Sequence, residues 1–253
     1  MMGRAVVNEF AKMRRLRVVP IAVVMVLGVV ALSCLVTLTS PGFSASVADP
    51  SGHPWRWLLG GMSTFVPVVS PLLLAVLASR PVDVEHQGNG WLLSGTSGLA
   101  PGQLCRAKFV AGGSVVVLAT LLQSALVVAF GELVGIAAAL PVGRWLAYTA
   151  GIVLVNLVVF ALHLLLSARI GNQLVGLGVG VLGVFLAIAS SGMPTWSAHF
   201  VAPWGYYAVI TPVDARGAGM VALAPSHWGV VGLGVAGGAL FLLLSRLFDR
   251  QEA

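Results

Sequence analysis

From Val115 to Phe130 the chain carries only three polar side chains, Thr120, Gln123 and Ser124, and no charge. Such a run fixes its own solvent. A helix needs about 20 apolar residues to span the hydrocarbon of a bilayer. Backbone polar groups in lipid must be satisfied within the protein, which leaves helices or a closed barrel. Barrel strands alternate apolar and polar residues over roughly ten positions, and this run does not alternate. Six stretches qualify as helical spans: 20–39, 57–79, 109–130, 145–167, 173–190 and 228–245. Charged residues make up only 9% of the 253, against about a quarter in soluble domains. The sequence predicts an all-α polytopic membrane protein, one domain over 1–253, with six transmembrane helices.

Charge orients the spans, because Lys and Arg collect on the cytoplasmic side. Arg4, Lys12, Arg14, Arg15, Arg17, Arg80, Arg106, Lys108, Arg169, Arg246 and Arg250 fall on one face. The other face holds only Arg56, Arg144 and Arg216. Both termini are therefore expected in the cytoplasm, with a cytoplasmic loop at 80–108 and an outer loop at 191–227. The basic balance reports topology; no aromatic-basic interleaving or nucleic-acid motif accompanies it. The first span is longer than the roughly 7–15 residues of a signal-peptide core, so it is read as an uncleaved span. Cys34 and Cys105 sit at different depths and are expected reduced and unpaired.

Residues 1–19 precede the first span. Within them Val6, Phe10 and Met13 repeat at helical spacing, with Asn8, Glu9, Lys12 and Arg15 opposite, the pattern of a helix lying on the membrane surface. Pro20 is expected to end it and begin the first span. The fifth and sixth spans contain the pairs Gly176/Gly180 and Gly234/Gly238, whose spacing lets helices approach closely. The same glycines spell GxGxxG, but inside membrane helices, without the strand-turn-helix context a dinucleotide site requires. Gly176, Gly180 and Gly183 are read as the contact with a second copy. The outer loop holds Trp196, Trp204, Tyr206 and Tyr207, expected mostly as anchors at the headgroup level.

No GxxxxGK[ST] phosphate loop, HExxH or CxxC is present, so the chain has no ATP cradle of that kind. The five histidines are far apart; a metal site from His53, His199 and His227 with Asp49 or Asp214 is the weakest reading. Thr149, Asn156 and His163 recur every seven residues along the fourth span, with Ser167 beyond. This polar stripe either lines a functional path or hydrogen-bonds a neighbouring helix, with Gln123 and Ser124 as the expected partners. The loop at 80–108 stands apart. It holds Asp83 and Glu85, two of only eight acidic residues. Pro81 is expected to open a short helix with both acids at its positive end, and Trp91-Leu92-Leu93 follows after Gly88 and Gly90. An acidic helix with exposed apolar residues suits a partner's groove.

In layout, and in Glu85-His86-Gln87, Gly88-Asn89-Gly90-Trp91 and Arg106-Ala107-Lys108, the chain resembles the permease subunits of type-2 ABC exporters. It is most similar to short six-span members associated with lantibiotic or bacitracin-type self-protection, and departs from them at Gly95-Thr96-Ser97, where Pro and a basic residue are common. The resemblance implies a coupling helix at about Val82 to Leu93, with Asp83, Glu85, His86, Gln87, Trp91, Leu92, Arg106 and Lys108 forming the contact to an ATPase. It implies two copies of a cytoplasmic ATP-binding subunit and a second permease chain, identical or homologous. ATP and Mg would bind the partner and no cofactor would bind this chain. In the family the first, second and fifth spans line the shared interface. Export of an amphipathic peptide, lipid or hydrophobic drug across a bacterial cell membrane is then expected. The competing readings are a membrane-embedded enzyme and an ion-coupled secondary transporter; the latter predicts intramembrane carboxylates, and the six spans contain none.

Overall fold

The computed structural model describes residues 2–49, 51, 53–198, 201, 203–216 and 219–251. In order these form α1 (Met2–Arg15), α2 (Val18–Leu38), α3 (Pro41–Ser46), α4 (Trp55–Gln87), α5 (Gly90–Thr96), α6 (Pro101–Leu133) and α7 (Val142–Arg169). Then come α8 (Gln173–Ser191), α9 (Thr195–Ala198), α10 (Tyr206–Ile210), β1 (Val213–Arg216), β2 (Gly219–Ala222) and α11 (His227–Gln251). Six helices are long and apolar enough to cross a membrane: α2, α4, α6, α7, α8 and α11. They coincide with the six apolar runs.

α4 and α6 each reach 33 residues, about 50 Å at 1.5 Å per residue, well beyond a hydrocarbon layer of about 30 Å. Part of that excess falls where α4 ends and α6 begins, so both helices continue past the lipid as a rigid stalk. Pro81 therefore lies inside α4 and does not open a separate helix. The cause is burial: Val82 and Glu85 are packed inside the protein, and the helix continues to keep them there. Its break comes at Gly88 and Asn89, where Asn89 takes a left-handed φ of 51°, a conformation Asn tolerates better than most residues. Likewise the break after α1 lies at Arg17, with φ 54°. Pro20 sits in the first turn of α2, where its missing N–H has no helical partner to lose.

α4 is the hub, packed against α2, α6, α7 and α8. The α2–α4 contact is backbone on backbone: a Cβ added to Gly61 would lie 2.7 Å from the Ser33 carbonyl oxygen. The glycine face of α8 closes in the same way. A Cβ on Gly180 would meet the Ala75 methyl of α4 at 2.8 Å, Gly183 lies against the Trp204 ring, and Gly176 faces the Ser167 hydroxyl. These three glycines are thus engaged within this chain, and the face they form is not available to a second copy. Close packing was legible in the spacing; its partner was not.

The segment between α8 and α11 enters the bundle. Ile210 fills the space over Gly151 of α7, and Trp204 the space over Gly183 of α8. Both glycines lie well inside their helices. Trp204 and Tyr207 are only 8% and 3% exposed, so they are core residues rather than headgroup anchors. Trp196, by contrast, is fully open to the surroundings. The antiparallel hairpin β1–β2, with Val213 opposite Ala222, then returns over the start of α4, where Met220 packs on Gly60. His199 lies outside the described residues.

Candidate functional site

Four charged residues from three helices form a closed ring at the end of the bundle where the basic residues collect. Lys108 Nζ of α6 donates to Glu9 Oε2 at 2.8 Å, to Glu85 Oε1 at 2.7 Å and to the Pro81 carbonyl at 2.9 Å. Lys12 Nζ of α1 donates to Glu9 Oε1 at 2.9 Å and to Glu85 Oε1 at 2.6 Å. Each ammonium bridges the same two carboxylates, so the ring carries no net charge. All three Lys108 donors are used, which a buried lysine needs. Glu9, Glu85 and Lys108 are 1%, 3% and 1% exposed. Partial burial pulls the Lys12 pKa down, but hydrogen bonds to Glu85 and Glu9 more than offset this, and it stands above the ordinary 10.5.

This arrangement corrects two expectations. Glu85 and Lys108 were read as part of a partner-facing loop, yet both point inward. Glu9 and Lys12 were placed on the outward side of the surface helix, yet they dock it to α4 and α6, leaving Val7 and Phe10 exposed. The apolar stripe misled because a buried ion ring outweighs it: each carboxylate needs a cation inside the protein, and only this face supplies one.

What projects from the stalk is α5. Leu92 and Leu93 are 69% and 64% exposed, while Trp91 turns back so that its ring lies 5.9 Å from that of His86. His86 Nε2 is 3.0 Å from the Ser167 carbonyl at the end of α7, which ties the α5 attachment to a third helix. Asp83 accepts from Gln87 Nε2 at 2.7 Å on the exposed side of α4. A cleft of about 300 Å³ separates α1 from the α5–α6 turn, lined by Asn8, Lys12, Arg15, Ser94 and Leu99 among others. Arg106 does not join the surface either; it pairs with Asp249 at 3.0 Å and with the Ser245 hydroxyl at 3.1 Å, binding α6 to α11.

The intramembrane stripe resolves into two short hydrogen-bond chains. Asn156 Nδ2 donates to Thr120 Oγ1 at 3.1 Å, and Tyr207 donates its hydroxyl to Asn156 Oδ1 at 2.7 Å. Ser124 pairs with Thr149 at 2.7 Å and accepts from Trp145 Nε1 at 2.8 Å. Ser124 was an expected partner of the stripe; Gln123 is not one, and Thr120 and Tyr207 take its place. His163 is fully buried, and neither ring nitrogen meets a partner among the described residues. Among those residues no three His, Cys, Asp or Glu side chains gather as metal ligands.

A six-helix membrane bundle with a stalk, a projecting apolar helix and a charged joint beneath it defines a transport subunit worked from outside. A family profile described as ABC-2 family transporter protein matches residues 5–188, from α1 through most of α8, and the chain belongs to that family. It is accordingly a membrane-spanning ABC transporter permease that associates with an ATP-binding subunit and is not itself the ATPase. No curated protein matches the chain.

Proposed function

We propose that this permease exports an amphipathic peptide, lipid or hydrophobic drug, and that a separate ATPase drives it through α5. The carrying observation is the pair Leu92 and Leu93, held in the open on a helix of seven residues at the tip of two rigid stalks. An apolar pair of this kind fits a groove on a partner, and the ion ring directly beneath transmits any displacement of α4 to α1 and α6. The complex is read as two ATP-binding subunits, which hold ATP and Mg, with two permease chains, identical or homologous. The surplus of Lys and Arg at this end puts both termini and α5 in the cytoplasm of a bacterial cell. Self-protection against lantibiotic or bacitracin-type peptides is the physiological setting the resemblance favours.

The test is to replace Leu92 and Leu93 together by Asp. The expected result is loss of the copurifying ATP-binding subunit at unchanged permease yield and melting temperature. Retention of that subunit by the variant, or transport by the purified wild-type chain alone, would overturn the proposal.

A further inference from the structure

A groove of about 540 Å³ runs along the outside of the bundle between α7 and α11. Ala161 and Leu165 of α7 and Leu240 and Leu244 of α11 form its walls, and Arg169 is the one charged residue lining it. That residue marks one end: its guanidinium lies 5.0 Å from the centroid of the Phe248 ring. Along α11 the groove extends from Leu233 to Phe248, about 22 Å of helix. One leaflet of hydrocarbon is about 15 Å deep, half the bilayer core. The groove is therefore long enough for an acyl chain from one leaflet, apolar throughout that depth, and capped by a cation where a headgroup would lie. Leu240 is exposed, so the groove opens sideways to lipid.

We propose that this groove holds one anionic phospholipid of the leaflet at the basic end, with its acyl chain along α11 and its phosphate at Arg169. A planar guanidinium matches phosphate oxygens with two parallel hydrogen bonds, and basic pockets between membrane helices select anionic headgroups. The site requires only the membrane-spanning fold; it depends on neither an ATPase nor a transported substrate.

The full-length chain, purified in detergent, is titrated with phosphatidylglycerol and with phosphatidylcholine, and bound lipid is counted by native mass spectrometry. Wild type prefers phosphatidylglycerol by about fivefold, the ratio one basic residue near an anionic headgroup supplies. Arg169→Gln erases the preference. Ala236→Trp, which fills the exposed groove wall and keeps Arg169, weakens both lipids. Arg246→Gln removes an equal charge from the same end outside the groove and retains the preference. Equal binding of the two lipids by wild type overturns the proposal. So does an Ala236→Trp variant that binds phosphatidylglycerol like wild type, or an Arg246→Gln variant that loses the preference as fully as Arg169→Gln.

Discussion

Lys108 Nζ and Glu85 Oε1 stand 2.7 Å apart inside the protein, and each is also bound to a residue of α1. The pair is therefore half of a four-membered alternation and not an isolated salt bridge. Removing one member of a buried ion pair strands its partner's charge, typically at about 3–5 kcal/mol. Lys108→Met is expected to lower stability by that order in a denaturation series in detergent. Exchanging the two charges, with Glu85→Lys and Lys108→Glu together, restores the pair but sets Glu9 beside a new carboxylate and Lys12 beside a new ammonium. The exchange is expected to fail to rescue; recovery to within about 1 kcal/mol of wild type would show that the alternation is not what matters.

Alkaline pH probes the same joint from α1. The folded pKa of Lys12 is raised, so its contribution is fully present below the ordinary 10.5 and is lost only as pH rises through the higher folded value. A fluorophore on α1 at position 10 should report constant docking from about pH 6 to pH 9, with release only above the ordinary lysine range. Release near neutrality would contradict this sign.

Two glycines of α8 separate internal packing from pairing of chains. A Cβ on Gly180 would press on Ala75, whereas one on Gly178 meets nothing within 4 Å. Gly180→Leu is expected to destabilise the isolated chain by about 1–3 kcal/mol or more through overpacking, and Gly178→Leu to leave its melting unchanged. Equal melting temperatures for the two variants would refute the assignment.

Tyr207→Phe removes the hydroxyl that reaches Asn156 from the segment after α8. Interhelical hydrogen bonds in membranes average about 0.6 kcal/mol and reach about 1.7. A double-mutant cycle with Asn156→Leu should return a coupling in that range, and zero coupling would place the hydroxyl elsewhere.

Apolar runs announced all six spans because lipid imposes one rule on every residue within them. What the sequence concealed was pairing across distance. Glu9 and Lys12 look like ordinary solvated charges until Glu85 and Lys108, from two other helices, meet them. Periodicity reveals that a helix has two faces but does not say which faces inward, and on α1 the apolar stripe pointed to the wrong one. Tyr207 was hidden for a related reason: aromatic residues in a Pro-rich outer segment read equally well as anchors or as core. Only Gly151 and Gly183, whose missing side chains make room for Ile210 and Trp204, decide between the two. Leu92 and Leu93, by contrast, were legible, since paired leucines in a polar loop have few uses within a chain.

The ion ring also sets the order in which the protein can be made. Glu9 is synthesised 99 residues before Lys108, an interval of about 5–20 s at ordinary elongation rates. For that time the first helix to emerge has no partner for its carboxylate within its own chain beyond Lys12, three residues on. It must wait at the membrane surface, where Val7 and Phe10 offer it a hold, until the third span has been inserted. Assembly at this end is finished by the earliest segment translated, docking late.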